Sequence, residues 1–99
     1  MKQGILSLLV AITVLACGEK KPSTTVDGKK IYKQNCMLCH GADGSLGANG
    51  SKDLSQSTLS LDERKAIIKN GKGKMVGLGS LLSEEEIAAV AAFTYQLRK

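Results

Sequence analysis

Tryptophan is absent from this 99-residue chain, histidine and proline occur once each, and the aromatics are limited to Tyr32, Phe93 and Tyr95. A small domain is short of core in any case, and one this poor in large side chains has little to build with. A single histidine, His40, excludes any centre built on two imidazoles. Asp43, Asp53 and Asp62 stand alone in polar segments and read as solvated, so no acid–base pair, nucleophile or substrate pocket is visible. The longest apolar run, Ile5 to Ala16, is broken by Ser7 and Thr13 and is too short to span a bilayer. No stretch alternates convincingly as a strand. The basic segments carry no interleaved aromatics, which argues against a nucleic-acid partner.

What is present begins with an address. Lys2 followed by the apolar run reads as an export signal over residues 1–16. Its end, Val14-Leu15-Ala16-Cys17-Gly18, has the form of a bacterial lipobox, with cleavage before Cys17 and acylation of that thiol. Each buried methylene of an acyl chain contributes about 0.8 kcal/mol, so several chains on one terminus hold a protein firmly at a membrane surface. Residues 17–26 are polar and without apolar period, a flexible tether of about ten residues. Residues 27–99 are then the folded domain. Loss of the leader leaves 13 Lys and Arg against 9 Asp and Glu, a net +4, because Lys2 leaves with it.

Cys36-Met37-Leu38-Cys39-His40 places two thiols and an imidazole on one helical turn, the C-x-x-C-H spacing that captures haem. Each thiol can add across a vinyl group to form a thioether, and the imidazole that follows lies under the ring. Two cysteines one turn apart can also be a redox pair or half of a zinc site. The first would need a surrounding βαβ pattern and the second four Cys/His ligands, and the chain offers neither. The motif resembles the attachment site of a c-type cytochrome.

The rest of the domain reads as helices and loops. Asp27 to Cys39 is helix-compatible, with Ile31, Tyr32 and Leu38 apolar and the haem motif at its end. Gly41 to Asp53 is a glycine-punctuated loop. Ser60-Leu61-Asp62-Glu63 is a capping box opening a helix that runs to Asn70 and stops at Gly71. Lys72 to Leu82 is again a loop. Ser83-Glu84-Glu85-Glu86 is a second capping box, with Leu82 and Ile87 spaced for a hydrophobic staple. In the last helix Ile87, Val90, Ala91, Thr94 and Leu97 recur at helical spacing, an inward stripe. Loops this long are unusual in a compact domain unless wrapped around a cofactor. The layout resembles the small class I cytochrome c fold: all-α, three main helices and glycine-rich loops around one covalent haem c. The resemblance implies a close crossing of first and last helices, with Gly28 and Phe93 at the family's glycine and aromatic positions and Tyr32 and Leu97 flanking.

With His40 as proximal ligand, a second axial ligand is expected from a thioether. Met1 leaves with the leader, and Met37, between the attached cysteines, sits on the proximal side. Met75, in the loop Gly71-Lys72-Gly73-Lys74-Met75, matches the family's distal methionine. The family commonly follows that methionine with proline, where this chain has Val76, and it often orients the proximal imidazole through a proline carbonyl. Here the only proline is Pro22, so another carbonyl, expected within Gly41 to Gly50, must accept from the second ring nitrogen.

Ligands on both faces leave no open iron position, so the expectation is outer-sphere transfer of one electron rather than catalysis. The expected protein is a periplasmic, lipid-anchored electron carrier serving a terminal oxidase or periplasmic reductase, with no small-molecule substrate. Lys65, Lys69, Lys72 and Lys74 lead into the methionine loop and would steer the domain onto redox partners with an acidic docking surface. Rival readings are a haem peroxidase or ligand-binding sensor with a dissociable methionine, a fixed electron-transfer subunit of a larger oxidoreductase, and an apo thiol or metal domain.

Overall fold

A computed structural model describes residues 26–99; the expected leader, Cys17 and nearly all of the tether lie outside the described residues. Helix α1 spans Gly28–Asn35 and starts where the Asp27 side chain accepts from the Lys30 N–H at 3.2 Å. A single turn, α2, covers Met37–His40. After a loop with a 3-10 turn at Ala48–Gly50 come α3, Leu61–Asn70, and α4, Glu84–Gln96. Both capping boxes form as the S-x-x-E spacing predicts. Ser60 accepts from the Glu63 N–H at 3.1 Å and Ser83 from the Glu86 N–H at 3.1 Å, each glutamate reaching back to the cap N–H.

Two expectations need correction. The first helix does not run unbroken to Cys39: it is interrupted at Cys36, whose backbone (φ −120°, ψ −32°) turns the thiol into the core before α2 begins. The segment after α3 is not all loop. Gly71–Lys72 (β1) and Met75–Val76 (β2) pair antiparallel, Gly71 opposite Val76 and Lys72 opposite Met75. Gly73 takes φ +58° at the first position of the two-residue turn, the position where a II′ turn favours glycine. Strands of two residues are too short to show an alternating pattern, and the fold remains helical.

The core lies where α1 and α3 pack on α4. Ile31, Tyr32, Cys36, Ile68, Ile87, Val90 and Ala91 are buried. Thr94 is buried too, so the α4 stripe faces inward as its spacing requires, with Leu97 partly covered. At the α1–α4 crossing, Gly28 presses on the α4 backbone: a Cβ there would collide with the Ala89 carbonyl. The aromatic partner is taken one turn along α1, where the Tyr32 and Phe93 rings lie 5.0 Å apart at 50°. The helices therefore cross closely as expected, with glycine against backbone and aromatic against aromatic. On the other side of α4, the buried Arg64 of α3 donates to Thr94 Oγ1 at 3.3 Å, to the Leu59 carbonyl at 3.0 Å and to the Ser57 carbonyl at 3.1 Å.

Candidate haem site

The site is organised by α2. The His40 N–H donates to the Cys36 carbonyl at 3.0 Å and the Gly41 N–H to the Met37 carbonyl at 2.8 Å, which closes one turn and sets Cys36, Cys39 and His40 on one face. Cys36 is buried, Cys39 and His40 half-buried, and both thiols are free. Burial pushes the Cys36 thiol up to about 11, so it stays protonated near neutral pH. A nucleophilic redox cysteine is arranged the opposite way, with its thiolate stabilised. Among the described residues no group of three or more His, Cys, Asp or Glu is placed to hold a metal ion. The thiol-redox and zinc readings thus find no support in the geometry.

His40 is held through its ring and its carbonyl, and the residue after it is held as well. Its Nδ1–H donates to the Lys52 carbonyl at 3.0 Å, which leaves Nε2 as the free nitrogen and fixes the tautomer a metal would meet. Its own carbonyl accepts from the Leu46 N–H at 2.9 Å. The next carbonyl, on Gly41, accepts from the buried Tyr32 hydroxyl. The expected range for the histidine's partner, Gly41 to Gly50, was two residues short: the loop passes through its 3-10 turn before doubling back, and Lys52 is the residue that returns to the imidazole. Tyr32 is pushed up to about 12, chiefly by its burial and then by the nearby Cys36 and Asp43.

Met75 lies on β2, half-buried, and its side chain packs against the core cluster that includes Cys36 and Ile68. Met37 packs into the same cluster from α2. Among the described residues, seven apolar residues are buried, and Leu46, Val76 and Leu81 are left 61, 76 and 73% exposed. That is apolar surface the chain does not cover itself. With the paired thiols and the oriented imidazole, the residues present fit a covalently attached macrocycle. Leu38, one of the apolar positions of the expected helix, is 88% exposed on the turn that follows the break at Cys36.

The lysines divide. Lys65 pairs with Asp62 at 3.2 Å and Lys69 with Glu84 at 2.7 Å. Lys72 and Lys74 project from the hairpin, exposed and without an ion pair among the described residues. The basic group expected to act together is therefore half engaged within the molecule. Three further contributors escaped the sequence reading: the Lys52 carbonyl, the Tyr32 hydroxyl bond and the buried Arg64. A backbone carbonyl carries no sequence signal, but a tyrosine four residues before the first motif cysteine could have prompted a search for its hydroxyl's partner.

A haem-attaching turn between crossing terminal helices, followed by a methionine hairpin, defines a small monohaem c-type cytochrome of class I. Residues 23–93 match the family model described as cytochrome c oxidase, cbb3-type, subunit III, and the chain belongs to this family. It is 32% identical to a cytochrome c6 of Gloeothece citriformis (strain PCC 7424) in an alignment covering 100% of this chain and 96% of that protein. To the cytochrome c-551 of Bacillus subtilis (strain 168) it is 36% identical over 75% of this chain and 64% of that one. Among solved structures it resembles the KustC0563 c-type cytochrome (TM-score 0.69, 25% identity, 75% of this chain and 100% of that one). Cytochrome c6C from Synechococcus sp. PCC 7002 is also similar (TM-score 0.62, 29% identity, 70% of this chain and 90% of that one). The chain carries one covalently bound haem c and is an electron-transfer protein, not an enzyme.

Proposed function

We propose that the protein is a membrane-tethered one-electron carrier on the periplasmic side of a bacterial membrane. In this reading haem c is attached at Cys36 and Cys39, His40 and Met75 are the axial ligands, and Cys17 carries the lipid. The observation that carries the reading is the His40 imidazole, held through Nδ1 by the Lys52 carbonyl so that Nε2 is the ring nitrogen left free on a turn bearing two free thiols. The haem, when bound, supplies a one-electron iron couple. The chain's part is to keep the ligand geometry the same in both oxidation states and to exclude water from the iron. His40 does this through its hydrogen bond, Cys36 through its burial, and Met75 from a paired strand. Methionine opposite histidine raises the potential by favouring ferrous iron.

Lys72 and Lys74 present the free positive charge nearest Met75 in sequence and support an acidic docking surface on the partner, a terminal oxidase or a periplasmic reductase. The description of the matched family, an oxidase subunit, favours a second reading: a fixed electron-transfer subunit. Co-purification with a catalytic chain in mild detergent distinguishes that from a mobile carrier.

Absorption spectra of the matured protein test the ligand set. Loss of a weak far-red sulfur-to-iron band in Met75→Ala supports it, and a high-spin ferric spectrum insensitive to the substitution would sink it. Mass spectrometry of the mature N-terminus tests the anchor. A diacyl or triacyl Cys17 is expected, and a leader cleaved elsewhere removes the tether from the proposal.

A further inference from the structure

We infer that Gly77 is a positioning residue for the distal ligand: it lets the chain lie flat on the last turn of α3 and so holds Met75 in place, where the next residue is Val76 rather than proline. The inference deepens the proposed function and rests on Met75 ligation.

Residues 75–79 are tied to α3 and to the strand that continues it. Met75 and Val76 pair with Lys72 and Gly71. The Leu78 N–H donates to the Ile68 carbonyl at 2.8 Å and the Gly79 N–H to the Lys69 carbonyl at 3.0 Å. These are carbonyls that a helix end leaves without intrahelical partners, so the methionine segment itself caps α3. The approach is close enough to forbid a side chain. A Cβ at Gly77 would lie 2.6 Å from both the Asn70 carbonyl carbon and the Lys69 oxygen, backbone atoms that cannot rotate aside. At Gly79 the nearest contact would be the Lys69 oxygen at 2.9 Å.

Conformation does not explain this glycine. Gly71 needs one for its φ of +79°, whereas Gly77 is not among the glycines in the left-handed region, so alanine could adopt its backbone angles. What Gly77 supplies is space. Gly50 and Gly73, in the neighbouring loops, would meet nothing within 4 Å, whereas a Cβ at Gly71, across the hairpin, would lie 2.5 Å from the Met75 oxygen and 2.6 Å from the Gly77 nitrogen, so the methionine segment is closely packed on both of its sides. A side chain at position 77 must lift the strand from α3, and Met75, two residues back on that strand, moves with it.

The test compares ferric wild type, Met75→Ala, Gly77→Ala and Gly79→Ala, each as the haem-loaded protein. The measurements are the far-red band, equilibrium binding of imidazole and the denaturation midpoint. Wild type should show the band and Met75→Ala lack it. Gly77→Ala should weaken the band and bind imidazole roughly tenfold more tightly than wild type, because overpacking makes the open state easier to reach. A lowered midpoint with the band intact and imidazole affinity within about twofold of wild type would make Gly77 merely structural and overturn the inference. Absence of the band in wild type overturns the ligation reading itself, before any glycine variant is considered. If Gly77→Ala does not accumulate with haem, Gly79→Ala decides: a smaller change in the same direction supports the inference, and an unchanged band and affinity overturn it.

Discussion

Replacing Tyr32 by Phe isolates one hydrogen bond at the proximal side. The ring stays in its slot, 5.0 Å from Phe93, so no cavity opens. What disappears is the donor to the Gly41 carbonyl, the group immediately after His40. A hydrogen bond of this kind contributes about 0.5–1.5 kcal/mol net, and a half-buried carbonyl left without a partner adds to the loss, so about 1–2 kcal/mol of stability should go at neutral pH. Denaturant unfolding of the haem-loaded proteins reads it as a lowered midpoint at unchanged slope.

The pH dependence supplies an independent check. The Tyr32 phenol is raised from 10.0 to about 12 in the folded protein, so the folded state favours the protonated form. Its contribution is fully present below the ordinary value and is lost as pH rises toward the folded one. The gap between wild type and Tyr32→Phe should therefore narrow as pH rises above 10.0, since burial, the chief cause of the raised value, acts in the haem-loaded protein too. A variant within about 0.3 kcal/mol of wild type at neutral pH, or a gap that ignores pH above that value, refutes the reasoning.

Gly28→Ala forces a methyl into the Ala89 carbonyl at the α1–α4 crossing and should cost about 1–3 kcal/mol, seen as a lower unfolding midpoint with an unchanged motif spectrum. Arg64→Lys keeps the charge but cannot serve Leu59, Ser57 and Thr94 in the same fork. It should destabilise by about 2–3 kcal/mol in denaturant unfolding, and wild-type stability would show that the three bonds contribute little. Reversing Lys72 and Lys74 to Glu should slow electron transfer to an acidic partner and flatten its salt dependence in stopped flow. Lys65→Gln with Lys69→Gln should do less, since both lysines are engaged by carboxylates within the molecule. Equal effects from the two pairs would remove the hairpin from the docking surface.

The parts legible in the amino-acid order are those whose cause is local. Thiol, thiol and imidazole at i, i+3 and i+4 meet on a helical turn wherever that turn sits, and the structure brings Cys36, Cys39 and His40 together in that way. Ser60 with Glu63 and Ser83 with Glu86 close their capping boxes within four residues, so both helix starts could be read without any tertiary information. The α4 stripe follows from period alone. Tertiary structure decided what depends on backbone groups meeting across distance. Lys52 rather than a residue of Gly41 to Gly50 holds the imidazole, because carbonyls are alike in every residue and only the path of the loop selects one. The break at Cys36 and the pairing of Met75 opposite Lys72 have the same origin, as does the division of the lysines into paired and free. So does the role of Gly77: the eleven glycines look alike in the sequence, and only the path of the chain brings this one against the end of α3, where a Cβ would lie 2.6 Å from backbone atoms.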